Sequence, residues 1–320
     1  MKKILSGIAC LLLLLTLGSV FLESIWVFDL IASGRLQYLV ALAGLGLVAA
    51  ISGARAAALI LVTAALINGW FVAVYVLKTP PALVEGEQRI SVTFHNVKQL
   101  VPDLAALRNF VETTETDVLA FTELRAGDAP AVRAAFTDFP HTAGEPGEYS
   151  IVLLSRLPLS TARVHRLDDD GPSGTTLEVR VCAEGDARCI ALVALHPAPP
   201  FNPGYHTHRN IHVWATANLA SRIAAEPSID GRIAMIGDFN FTPWNVIYKE
   251  TLVLSGLRDA MVQTWPHSTF HSRTAVAGLA LDHIWVGEKT GLVQSHIGPK
   301  ARSDHFAINA QLAIDFEPTR

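Results

Sequence analysis

Three stretches of this chain, residues 4–22, 36–54 and 56–77, are apolar and carry no charge. Nothing else in the sequence restricts its fold as severely. A helix of about 20 apolar residues is what crosses a bilayer, and each stretch has that length, with polar interruptions such as Gln37 and Asn68 only. The economical reading is a membrane region over residues 1–77 with three transmembrane helices. The first stretch also has the make-up of a signal peptide, because Lys2 and Lys3 precede its apolar core. No small-x-small cleavage site follows, which favours a retained anchor. Lys2, Lys3 and Arg55 weigh against Arg35 and Lys78, with Glu23 and Asp29 on the latter side, and put the C-terminal portion outside. The spans hold no internal charge, so a transporter or channel finds little support.

Residues 78–88 are rich in Pro, Gly and Glu and read as a linker. Of the 25 Lys/Arg and 29 Asp/Glu, residues 1–80 hold five and two, which leaves the remainder a net charge of −7. An acidic domain lacks the electrostatic footprint of a tight nonspecific nucleic-acid binder, although it does not exclude a nuclease. Cys182 and Cys189 stand at the feet of an expected hairpin and are candidates for a disulfide; two unpaired thiols are the alternative. With the outward topology the bridge is the better reading, since bridges persist in oxidising compartments.

From residue 89 onward, apolar strands keep ending in polar side chains. Arg89 to His95 alternates and ends at Asn96; 117–121 ends at Thr122-Glu123; Tyr149 to Ser155 is a third strand. Two strands flank the cysteines, the second (190–195) ending at His196-Pro197. A helix is expected over 101–115 and another over 205–225. Ile233 to Ile236 is a short buried strand that breaks at Gly237 and presents Asp238 and Asn240. Thr242-Pro243 then resembles an N-cap and a first helical position. Leu281 to Val286 is a strand carrying Asp282, and 306–314 is preceded by Ser303-Asp304-His305. A single strand-terminal Asn or Asp is most often a turn former. Eight such groups at strand ends make a site for a hard cation and a phosphate. Strands with a few helices between them indicate a mixed α/β domain of two packed sheets.

The order Phe94-His-Asn96, Thr122-Glu123, Tyr149 to Pro158, His196, Gly237-Asp-Phe-Asn240, Leu281-Asp-His-Ile284 and Ser303-Asp-His305 resembles the endonuclease/exonuclease/phosphatase superfamily. That group includes deoxyribonuclease I-like nucleases, neutral sphingomyelinases and inositol polyphosphate phosphatases. The match spans about residues 89–314, and His196-Pro-Ala-Pro-Pro200 with Arg209-Asn210 is similar to membrane-attached bacterial members. Thr122 departs from the Gln common at that position. The resemblance implies a four-layer α/β sandwich over 89–320, the cation Mg²⁺ (Mn²⁺ as a substitute), and phosphoester hydrolysis by in-line attack of water. It implies Glu123 as principal metal ligand with Asn96 and Asp304 at or near the ion. Asp238 would orient or deprotonate the water, and Asn240 would hold it or a phosphate oxygen. Asp282 would fix His305 as imidazolium, and His196 would donate to the phosphate or the leaving group; either Asp238 or His305 could be the base. Together with the spans, it implies a multi-pass protein of a bacterial inner membrane, catalytic domain facing the periplasm.

Other residues carry weaker signals. Trp244 is either a stacking platform or core. His206, His208 and His212 raise a zinc site that lacks a fourth ligand. Arg209 is a candidate phosphate contact or a solvated surface residue. The expected partners are the lipid bilayer and a phosphoester, a lipid headgroup or small phosphodiester before nucleic acid; no protein partner is inferable. A noncatalytic binding module of the same fold is the competing class, and the intact set of polar groups argues against it.

Overall fold

The computed structural model describes residues 2–77, 83–84, 88–166, 174–182, 189–266 and 268–314. Most of the expected linker and the loop between Cys182 and Cys189 lie outside them. Four helices open the chain: α1 (Lys2–Phe21), α2 (Trp26–Ser33), α3 (Arg35–Ile51) and α4 (Arg55–Val76). Two of them, α1 and α4, are long and apolar enough to cross a membrane. The middle stretch differs from the expected single span. Its helix α3 has 17 residues and meets α2 at a 75° bend, so a third span exists only if that bent pair counts as one. Ala9, Leu42, Ala49 and Leu61 pack α1, α3 and α4 together.

The remaining elements are β1 (Arg89–Asn96), α5 (Leu104–Thr113), β2 (Val118–Leu124), α6 (Ala129–Ala135), β3 (His141–Gly144), β4 (Gly147–Ser155), β5 (Leu159–Arg166), β6 (Thr175–Cys182), β7 (Cys189–Leu195), α7 (Pro203–Ala224), β8 (Ile233–Asp238), α8 (Val246–Ser255), β9 (Arg258–Asp259), β10 (Asp282–Val286), β11 (Gly291–Ile297) and β12 (Ile308–Ala313). They build two six-stranded sheets, in the orders β11-β12-β1-β2-β4-β3 and β5-β6-β7-β8-β10-β9. Each sheet is mixed, with one parallel pair near its centre, β1 with β2 and β7 with β8.

Period-two patterning explains the layers. In β1, Ile90, Val92 and Phe94 face the other sheet, where Leu177, Val179, Ile236 and Ile284 meet them. Leu119 and Phe121 of β2 face outward, onto Leu107, Val111 and Val132 of α5 and α6. On the opposite side Val193, Met235 and Trp285 lie under Val213 and Ile223 of α7 and Ile247 of α8. The result is helix, sheet, sheet, helix. Val72 and Tyr75 from the end of α4 join that last layer, so the N-terminal helices are docked on the sandwich. Tyr75 stands edge-on to Trp244, Tyr248 and Trp265. Trp244 is therefore core, not a stacking platform. Cys182 and Cys189 are joined by a disulfide at the paired ends of β6 and β7.

Two local expectations are corrected. Helix α8 starts at Val246, later than Thr242-Pro243 suggested, because the Thr242 hydroxyl bonds Asn245 Oδ1 (2.9 Å) and the Ser33 carbonyl (3.2 Å) instead of capping a helix. Helix α5 is shorter than 101–115; Asp103 caps it by accepting from the Ala106 amide.

Candidate active site

Parallel neighbours end at the same edge of a sheet. In β1 and β2 the register sets Asn96 beside Thr122, one residue before Glu123. In β7 and β8 it sets Leu195 beside Gly237, so His196 and Asp238 follow together. Gly237 is required there: a Cβ would lie 1.9 Å from the Leu195 carbonyl oxygen. Asp282 reaches this edge by the opposite route. Its strand is antiparallel to β8, and its first residue pairs with Asp238. Asp304 and His305 likewise precede β12, so these three residues open strands at the edge where the others close them.

Backbone irregularities aim two of the side chains. Glu123 sits in the left-handed region (φ 57°), where the register of β2 against β4 shifts. Such bulges re-aim a side chain beside a site, and the Gln99 amide holds the Glu123 carbonyl at 3.0 Å. Asn240 is also left-handed (φ 55°), a conformation Asn tolerates.

Asn96 joins the two halves. Its Nδ2 donates to Glu123 Oε1 (2.9 Å) and to Asp238 Oδ2 (3.1 Å). Asp238 also accepts from the Asn240 amide at 3.0 Å. His305 places Nδ1 2.9 Å from Asp282 Oδ2 and Nε2 3.6 Å from Asp238 Oδ2. Burial opposes a charge on this ring, but the Asp282 and Asp238 carboxylates overcome it and push its pKa up to about 9. Asp238 is itself raised to about 7, chiefly by burial, against the pull of His305. Burial likewise raises Glu123.

His196 is the opposite case. Burial lowers its pKa to about 3. Its Nδ1 lies 2.9 Å from the Glu148 carbonyl and 2.8 Å from Thr122 Oγ1, and the Thr122 hydroxyl is 3.0 Å from the Ser150 carbonyl that takes its hydrogen. Nδ1 therefore carries the ring proton. Nε2 presents a lone pair between Glu123 Oε1 and Asp238 Oδ2, 3.7 Å from each. In this state it accepts, and it must gain a proton before it can donate. Thr122, the departure from the expected Gln, thus orients His196.

Asp238, Asp282 and His305 form the one group among the described residues with three ligand-type atoms within 4.8 Å of one another. A charged imidazole is a poor ligand, so the oxygen donors around Glu123 and Asn96 suit a hard cation better. Asp304 borders the same cleft and pairs with Lys98, whose side chain is 53% exposed. The zinc reading of His206, His208 and His212 is not supported, because no such group is found among the described residues and His212 Nε2 is engaged with Thr176 Oγ1 at 3.0 Å.

Arg209 requires a correction. It is fully buried, its Nη1 donates to the Asn240 carbonyl (3.0 Å), and Nη2 pairs with Asp29 Oδ2 (2.9 Å). It lies beneath the segment that carries Asn240 and has no face to offer a phosphate. Sequence reasoning also missed Leu30 and Ser33, which line the cleft from α2. The signal that could have found them is a short charged segment, 23–35, between two apolar stretches.

The cleft over these groups has a volume of about 450 Å³. Glu123, His196, Asp238 and His305 line it together with apolar residues, among them Leu30, Pro200, Phe201, Phe270 and Leu281. Two sheets that deliver acids, an amide and histidines to one such cleft define a hydrolytic enzyme fold. The chain belongs to the Endonuclease/Exonuclease/phosphatase family, whose model matches residues 93–305. The family's members are phosphoester hydrolases that generally use divalent metals. Solved structures agree on the fold. A family member from Bacteroides thetaiotaomicron superposes with a TM-score of 0.57 at 13% identity, covering 72% of this chain and 98% of the other. A mannosyl-6-phosphatase from the same organism gives 0.58 at 13% identity, with 70% and 99% covered. A 3′ phosphatase from Neisseria, bound to a product DNA hairpin, gives 0.54 at 18% identity, with 69% and 98% covered. No curated protein matches the chain.

Proposed function

We propose that this protein is a membrane-anchored, metal-dependent phosphodiesterase acting on the headgroup phosphoester of a lipid, its catalytic domain on the periplasmic side of a bacterial inner membrane. The observation that supports the substrate class is the mixed polar and apolar lining of the cleft. Leu30 and Ser33 come from α2, which lies between helices apolar enough to span a bilayer, and Phe201 at the rim is 72% exposed. Acidic and imidazole groups beside apolar side chains in one cleft suit a phosphate attached to a hydrocarbon.

Glu123, Asn96 and Asp304 offer only oxygen donors, which fits Mg²⁺ or Mn²⁺. Bound there, the cation would neutralise charge on the phosphoryl oxygens. Asp238 is the base in this reading: His305 already carries its proton, whereas Asp238 is held in place by Asn96 and the Asn240 amide. The His305 imidazolium faces the same point and stabilises developing negative charge. His196, neutral at rest, takes up a proton from solvent as the anionic substrate enters and passes it to the leaving group, while the proton of the attacking water goes to Asp238.

The test uses the full-length chain in phospholipid vesicles with Mg²⁺. Headgroup release is compared with hydrolysis of bis-p-nitrophenyl phosphate and of plasmid DNA, each repeated with chelator. Leu30→Glu with Phe201→Glu is expected to lower the ratio of lipid to soluble-diester hydrolysis about tenfold or more. Preference for DNA would replace the lipid reading by a nuclease, and chelator-resistant activity would overturn the metal assignment.

A further inference from the structure

The N-terminal helices do more than sit beside the sandwich. Asp29, in α2, is 2% exposed, and its carboxylate is the counter-charge of Arg209 at 2.9 Å. Arg209 is fully buried in α7, and a buried guanidinium needs such a partner. Its planar fork is divided between two hydrogen-bond acceptors, with Asp29 alongside as an ion-pair partner. Nε and Nη2 donate to Asn210 Oδ1 (2.9 and 2.8 Å), Nη2 also meets Asp29, and Nη1 donates to the Asn240 carbonyl (3.0 Å).

That last bond fixes the peptide that leaves Asn240. The same residue gives its amide hydrogen to Asp238 Oδ1 and its side-chain Nδ2 to the Pro197 carbonyl. The amide and carbonyl of Asn240 belong to successive peptide planes that meet at its left-handed Cα, so Arg209 holds the plane on one side of that Cα and Asp238 the plane on the other. The loop after Asn240 is stitched to α2 as well. Asn245 Nδ2 donates to Asp29 Oδ1 and to the Asp29 carbonyl, both at 2.9 Å, and Thr242 Oγ1 to the Ser33 carbonyl at 3.2 Å.

We propose that Asp29 is a positioning residue for hydrolysis: through Arg209 it sets the Asn240 peptide, and hence Asp238, so that α2 of the N-terminal region is a working part of the active site. This inference rests on the hydrolase reading above. Asp29 touches no substrate. The segment that tethers the enzyme also completes it, and displacement of α2 would switch the site off without altering any group that meets the phosphate.

The experiment uses the full-length chain in detergent micelles with Mg²⁺ and bis-p-nitrophenyl phosphate, a soluble probe that needs no bilayer. Asp29→Asn keeps the size of the side chain and removes its charge. It is expected to lower kcat by about 10–100-fold, the effect of a small misplacement of reacting groups, with KM and Mg²⁺ affinity within about twofold of the unmodified chain. Arg209→Lys keeps the charge beside Asp29 but cannot span both it and the Asn240 carbonyl. It is expected to show the same kcat loss, so it supplies the test if Asp29→Asn does not fold. In the double variant the losses should not add, because Asp29 acts through Arg209. Unchanged kcat in folded Arg209→Lys, or additive losses, would overturn the proposal. An unmodified chain inactive on every phosphoester would instead overturn the hydrolase reading on which it rests.

Discussion

Replacing Asp282 by Asn is the sharpest probe of the electrostatics at this site. The rise of His305 from the ordinary 6.5 to about 9 corresponds to about 3 kcal/mol in favour of the charged ring. Burial is the largest influence and works against that charge; Asp282, bonded to Nδ1 at 2.9 Å, is the leading attraction and Asp238 the next. Without the Asp282 carboxylate, burial is opposed by Asp238, 3.6 Å from Nε2, and by the weaker pull of Asp304. The ring should then lose its proton below pH 7. Linkage gives the matching stability signature. A histidine whose folded pKa is raised contributes stability that is fully present below 6.5 and lost as pH rises through about 9. The unmodified protein should therefore lose about 3 kcal/mol from this group across that window, and Asp282→Asn should lack the loss. The assay is ring ¹⁵N NMR of histidine-labelled full-length protein in micelles with chelator, His305 being assigned through His305→Gln. A His305 ring that is neutral at pH 7.5 in the unmodified protein, or still charged at pH 8 in Asp282→Asn, would refute the reasoning.

Two further outcomes follow from the same geometry. Gly237→Ala forces β7 and β8 apart at the edge that carries His196 and Asp238, since the new Cβ lies 1.9 Å from the Leu195 carbonyl. A cost of about 3 kcal/mol is expected for such overpacking, seen as a lower denaturation midpoint, and a midpoint equal to that of the unmodified chain would contradict the close approach. Glu123→Gln removes the charge of the carboxylate proposed above to hold the cation. It should weaken Mn²⁺ binding, followed by electron paramagnetic resonance, by at least about 10–100-fold along with activity, whereas unaltered Mn²⁺ affinity would move the cation elsewhere.

Much of the sandwich was legible because its central strands are apolar runs with a polar residue at one end. Ile233 to Ile236 followed by Asp238, and Arg89 to His95 followed by Asn96, announce both the strand and the side chain it delivers. Strands β3, β5, β9 and β11 were not read. β5 is half solvated and alternates weakly, and β9 has only two residues, so neither leaves a hydrophobic pattern to find. The start of α8 was misplaced for a different reason: the Thr242 hydroxyl is claimed by Asn245 and by the Ser33 carbonyl, more than 200 positions earlier in the chain.

Local patterning and order along the chain are enough to fix the family, the layered α/β domain and the roster of acids, amides and histidines at the strand ends. How those groups are charged and tied together depends on the folded arrangement. That Asp282 starts its strand opposite Asp238, that His196 is neutral on Nε2, and that Arg209 faces Asp29 rather than a phosphate are facts of register and burial. They arise between residues far apart in the chain, where spacing carries no information and the cost of burying a charge selects its partner.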